Sequence, residues 1–129
     1  MSFLTRERRD HVLLLTMSSP DTRNALTGPD QFEDFERTCS EVNDDPAVRC
    51  VVLTGEGSAF CAGGNVKDMR DRQGLFAGDP FDQADAYRKG IQRIPRAIHS
   101  LNVPTIAGGV FPTFSPTLAL ARPEIDIVC

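Results

Sequence analysis

The chain has 129 residues, a formal net charge of −4, 40% apolar residues and 25% charged residues. These values lie near globular averages and exclude a collagen-like or low-complexity chain. Charges of both signs are interspersed, so there is no basic footprint for nucleic acid or anionic lipid, and neither partner is expected. No apolar run approaches the roughly 18–20 residues that span a bilayer, so no membrane partner is expected either. The segment MSFLTRERRD lacks the apolar core of a secretory signal, which predicts a cytoplasmic protein.

Residues 2–8 alternate weakly and predict a first strand, and Arg9-Asp10 predicts a turn. HVLLLTM at 11–17 is a compact apolar run that predicts a buried strand, broken by Ser18-Ser19-Pro20-Asp21. Thr27-Gly28-Pro29-Asp30 predicts a helix start, with Thr27 as cap, Pro29 in the first turn and Asp30 closing a capping box. Phe32, Phe35, Cys39 and Val42 form one apolar helical stripe, and the helix should stop before Asp44-Asp45-Pro46. VRCVVL at 48–53 predicts a second strand covered on both faces.

A loop with four glycines in ten residues follows, from Gly55 to Gly64. Residues 65–72 predict a helix and 73–80 a flexible break. The stripe Tyr87, Ile91, Ile94, Ile98 and Leu101 predicts a long helix over roughly 81–100, kinked or bounded at Pro95. Residues 103–107 begin a further strand. Beyond Gly108 the periodicity fails and three prolines intervene, so residues 108–129 predict no regular element. The order of elements makes the chain α/β.

Cysteines stand at 39, 50, 61 and 129, without a CxxC pair and with only two histidines in the chain. That spacing argues against a metal site, and the lack of a secretory signal argues against a disulfide framework, which predicts free thiols in a reducing compartment. Cys61 has no histidine near it in sequence to activate it as a nucleophile.

A strand, a glycine-rich loop and a helix in succession present backbone N–H groups to an anion. The loop lacks the third glycine of a dinucleotide fingerprint and the Gly-Lys-Ser/Thr of a P-loop. A small nucleotide-binding α/β module using Gly55 to Gly64 as a phosphate cradle stays open as an alternative. AFCAGGNVKDM at 59–69, however, resembles the first oxyanion segment of the enoyl-CoA hydratase/isomerase (crotonase) family. SSPDTRNALT at 18–27, RCVVLTGEGSAF at 49–60 and SLNVPTIA at 100–107 resemble the family's flanking segments, in order.

The resemblance implies the N-terminal half of a crotonase-like ββα spiral fold over residues 1–107, incomplete, with an atypical tail at 108–129. It implies an acyl-CoA thioester as substrate, no separate cofactor, and a role in fatty acid metabolism, hydration of 2-enoyl-CoA being the family's typical reaction. Gly64 N–H would be one oxyanion donor. Ala62, Gly63, Gly64, Asn65, Val66 and Lys67 would line the coenzyme A path, with Arg23 and Lys67 meeting phosphates. Family members are trimeric or hexameric through C-terminal elements that have no counterpart in this sequence. The family's second oxyanion segment has none either: its donor position falls on Pro116, which has no N–H, and its glutamate position on Ala119. Neither Glu124 nor Asp126 stands at the family spacing. The chain alone is therefore expected to be inactive, and a non-catalytic remnant is the second alternative.

Overall fold

The computed structural model describes residues 2–104, 106–107 and 127–128. Strands β1 (Leu4–Arg9) and β2 (Val12–Met17) form an antiparallel hairpin, turned at Asp10 with φ 54°. Helix α1 (Pro29–Asp44) crosses over to β3 (Cys50–Gly55), which pairs with β2 in parallel and completes a sheet ordered β1-β2-β3. Short helix α2 (Val66–Asp71) follows the glycine loop. Helices α3 (Pro80–Lys89) and α4 (Arg93–His99) come next. Two-residue strands β4 (Ile106–Ala107) and β5 (Ile127–Val128) pair in parallel.

The register explains the core. Leu13, Leu15 and Met17 stand opposite Val51, Leu53 and Gly55, and side chains two apart share a face. Leu15, Met17 and Val51 are buried on that face, against the predicted α1 stripe of Phe32, Phe35, Cys39 and Val42, all buried. Burying each large apolar side chain contributes about 1.5–3 kcal/mol. The hairpin's edge extends the same face with charge instead of hydrocarbon. Arg6 pairs with Glu41 and lies 2.6 Å from the Thr38 hydroxyl, and Arg8 reaches Asp45 at 3.0 Å. Asp34 of α1 is 4% exposed and accepts hydrogen bonds from the Ser2 hydroxyl, from Leu4 N–H at 2.8 Å and from Arg37. Burial works to raise that carboxyl. The donors outweigh it and hold Asp34 below the ordinary carboxylate value.

Five expectations need correction. The N-cap of α1 is Gly28, not Thr27, and the box is closed by Gln31, whose Oε1 accepts Thr27 N–H at 2.6 Å and Gly28 N–H at 3.2 Å. β3 runs two residues further, to Gly55, because Met17 still offers a partner there. Among the described residues the sheet's second face is only partly covered: Val12 is exposed and Leu14 and Val52 are half-buried.

The long helix is two helices, broken at Gly90 rather than at Pro95. Gly90 has φ −107° and ψ −111°, and a Cβ there would stand 2.8 Å from Leu75 Cδ2. Close approach of chains, rather than proline, sets the break. Pro95 sits in the first turn of α4, where a missing N–H costs nothing. The predicted break at 73–80 holds a single 3-10 turn, Gly74–Phe76. The tail expectation fails at Ile127–Val128, which pair with β4. Residues 108–126, with Pro116, Ala119, Glu124 and Asp126, lie outside the described residues.

α4 is tied to α1 by a bidentate pair, Arg93 to Glu36 at 2.9 and 2.6 Å. Asn43 adds two bonds, accepting Asn102 N–H at 2.8 Å and donating to Ser100 O at 2.7 Å. Among the described residues no helix is long and apolar enough to cross a membrane.

Candidate functional site

The glycine loop leaves β3 at its C-terminal end, the end of a parallel pair where ligands bind in open α/β sheets. The turn 18–27 leaves β2 at the same end, so the two meet. Arg23 O accepts Ala62 N–H at 2.9 Å, and Leu26 N–H donates to Gly63 O at 2.8 Å. Leu26 and Gly64 form an isolated parallel bridge. Gly63 has φ +77°, a conformation open to glycine at little cost.

Gly64 is half-buried, and among the described residues no acceptor takes its N–H. A Cβ at Gly64 would stand 3.0 Å from Met69 Cε and 3.2 Å from Phe76 Cζ, so a side chain there needs those two side chains to give by a few tenths of an ångström.

Asn65 caps α2, its Oδ1 accepting Lys67 N–H at 2.9 Å. Val66 is 73% exposed and Lys67 and Ala62 are exposed. Arg23 is exposed with φ 54°, a left-handed backbone that an arginine adopts at a cost of about 1–3 kcal/mol. Neither Arg23 nor Lys67 has an ion-pair partner among the described residues. The fold thus gathers all seven predicted residues: Arg23 against the loop through its carbonyl, and 62–67 in one continuous stretch into α2.

Sequence reasoning missed four neighbours. Asn24 is wholly buried between turn and loop, and Gly55 is the only residue type that leaves room for it. Cys61 donates its thiol to Asn24 O at 3.1 Å and accepts Gly63 N–H at 3.3 Å, a linking role rather than a nucleophilic one. Phe76 closes the space above Gly64. An asparagine following an arginine in a polar turn carries one legible signal, its tolerance of the left-handed region. The others carry none. Cys39, Cys50 and Cys61 are free thiols, and burial pushes Cys39 up to about 11.

A cavity of about 660 Å³ opens elsewhere, between Ser2-Phe3, Ser18-Ser19 and the start of α1, and borders none of residues 62–67. Its walls carry Asp30, Glu33 and Asp34 against a single guanidinium, Arg37. That excess of negative charge repels phosphate, so the cavity does not suit an anionic ligand.

The stretch thus carries a backbone N–H at Gly64, beyond the C-terminal end of a parallel strand pair, and two cations, Arg23 and Lys67, without ion-pair partners among the described residues. Comparison with known proteins places the chain more closely. The sequence profile described as Enoyl-CoA hydratase/isomerase matches residues 7–109, and the chain belongs to that family. It is 36% identical over 110 residues to the enoyl-CoA hydratase EchA19 of Mycobacterium tuberculosis, covering 80% of this chain and 40% of that one. It is 32% identical over 98 residues to the enoyl-CoA hydratase ACTT3 of Alternaria alternata, covering 76% and 30%.

Among solved structures, AtuE of Pseudomonas aeruginosa superposes with a TM-score of 0.63 at 28% identity, over 82% of this chain and 39% of that one. An enoyl-CoA hydratase/isomerase from Mycobacterium paratuberculosis shares the fold, with a TM-score of 0.65 at 23% identity over 99% and 49%. The fold is accordingly a partial crotonase fold, as the sequence implies. The chain spans two-fifths or less of the length of these curated relatives.

Proposed function

We propose that this chain is the coenzyme A-binding portion of an enoyl-CoA hydratase/isomerase, with Gly64 N–H as one donor to the thioester oxygen. The observation that carries this reading is that N–H, which has no acceptor among the described residues where turn and loop meet. A donor preorganised toward developing negative charge is worth about 3 kcal/mol in a transition state. Arg23 and Lys67 would meet the phosphates of coenzyme A as charge-assisted donors. The exposed apolar surface of Val66 and Met69 would lie along the pantetheine arm.

Hydration of a 2-enoyl thioester needs two donors on the oxygen and a carboxylate pair to direct water and move a proton. This sequence supplies one donor, places Pro116 at the second and has no carboxylate at the family spacing. Losing one donor costs about 10²–10³ in rate, and losing acid/base groups a further ~10²–10⁴. The test has two arms: titration calorimetry with coenzyme A, and decay of the enoyl absorbance of crotonyl-CoA beside a full-length family member. Binding without turnover is expected. Absence of coenzyme A binding would overturn the proposal, and turnover within tenfold of the control would overturn its catalytic half.

A further inference from the structure

Three carbonyls of the glycine loop turn inward onto one side chain. The Asn24 amide nitrogen lies 3.0 Å from Glu56 O, 2.9 Å from Ala59 O and 3.2 Å from Phe60 O. Its Oδ1 accepts Ser19 N–H at 2.9 Å, from the start of the turn. Its backbone N–H donates to Ser19 O at 2.9 Å, and its backbone carbonyl accepts the Cys61 thiol. On either side, the backbone bonds of Arg23 to Ala62 and Leu26 to Gly63 join the same two segments. One wholly buried residue thus joins the turn that carries Arg23 to the loop that leads to Gly64.

We propose that Asn24 is a positioning residue that fixes the Gly64 donor loop against the Arg23 turn. This rests on the reading of Gly64 and Arg23 as two parts of one coenzyme A site. A loop with four glycines in ten residues has much freedom to lose, and little of its order is intrinsic. A donor acts on a developing oxyanion only when held to within about 0.5 Å. Asn24 supplies that restraint by sharing its two amide protons among the carbonyls of Glu56, Ala59 and Phe60, in part-buried bonds that no other side chain of the described residues makes.

The residue type follows from the cage. Aspartate would turn an oxygen lone pair toward three carbonyl oxygens. Glutamine would need room that the close packing at Gly55 denies, since even a Cβ there would stand 2.7 Å from the Asn24 amide nitrogen. Asparagine also accepts the left-handed backbone observed, φ 56°.

The experiment uses the full chain and amide hydrogen exchange resolved by residue, alongside coenzyme A affinity. Asn24→Gly keeps the backbone conformation open and deletes the amide. Exchange at Ala62 and Leu26 N–H should quicken by about 10- to 100-fold, with the β2–β3 ladder unchanged and coenzyme A affinity reduced. Asn24→Asp provides a pH-dependent readout, taken at the loop relative to the β2–β3 ladder so that loss of bulk stability does not mimic it. Its loop protection should be poor at neutral pH and recover on acidification, when the neutral carboxyl again donates to a loop carbonyl. Unchanged exchange at Ala62 and Leu26 in Asn24→Gly, or a rise shared equally with the ladder, would overturn the proposal. Failure of the unsubstituted chain to bind coenzyme A would instead overturn the site reading, and the exchange pattern would still decide whether Asn24 holds the loop.

Discussion

Gly55→Ala tests the joint between sheet and loop. The added Cβ would overlap the Phe60 carbonyl oxygen, stand 2.5 Å from the Ala59 carbonyl oxygen and 2.7 Å from Asn24 Nδ2. The first two are main-chain atoms, so no rotamer change relieves them. Overpacking of this kind costs about 1–3 kcal/mol. Displacing the Asn24 amide to make room takes the donor from three loop carbonyls in part-buried bonds, about 1–3 kcal/mol more. The substitution should therefore remove about 2–6 kcal/mol in all. Urea unfolding followed by circular dichroism reads this as a fall in midpoint of about 1–3 M at constant slope. Gly28→Ser is the control: no atom lies within 4 Å of its Cβ position and its backbone is extended at φ −149°. It should change stability by only a few tenths of a kcal/mol, about the difference between glycine and serine as caps. A loss below about 0.5 kcal/mol in Gly55→Ala would place it among ordinary surface changes and refute the reasoning.

Three further outcomes are expected. Asp34 is held below its unfolded value of about 3.9. Its contribution is thus present above that pH and lost as pH falls through the folded value. Glu36, lowered by its hydrogen bond from Arg93, acts in the same direction. Asp34→Asn should lower the urea midpoint at pH 7 and flatten its acid limb, and a curve parallel to the parent would contradict this. Iodoacetamide followed by peptide mass mapping should label Cys61 before Cys39, which is 2% exposed and pushed up to about 11 by burial; the reverse order would contradict the packing. Phe35→Ala, at 1% exposure, should cost about 3–5 kcal/mol in the same urea assay, and a loss under about 1 kcal/mol would show that the site collapses around the cavity.

The α1 stripe was legible because its spacing of three and four has one helical reading, and Phe32, Phe35, Cys39 and Val42 all face the sheet. The α/β order and the loop after β3 were legible for a similar reason, since each is a local pattern. The break at Gly90 was not, because it answers to Leu75 packing across from another segment. The partial cover of the sheet's second face was not legible, because an apolar run such as CVVL at 50–53 has no period that separates one covered face from two. In the site, the donor stretch 62–67 stood out through its glycines and its family resemblance. Asn24 did not. Its role depends on carbonyls more than thirty residues away, and sequence carries no trace of where backbone oxygens point. Gly55 reads in the sequence only as a loop glycine, whereas its necessity comes from the Phe60 and Ala59 carbonyls and the Asn24 amide beside it.

The central claim is that Gly64 N–H meets the thioester oxygen of a coenzyme A substrate. Glycine-selective ¹⁵N labelling of the 10 glycines gives one amide signal for each. Titration with crotonyl-CoA should move the Gly64 signal downfield, saturably and further than Gly55, Gly57 or Gly63, as a new hydrogen bond to oxygen forms. A saturable response that leaves Gly64 unmoved, or no saturable response from any glycine, would contradict the account.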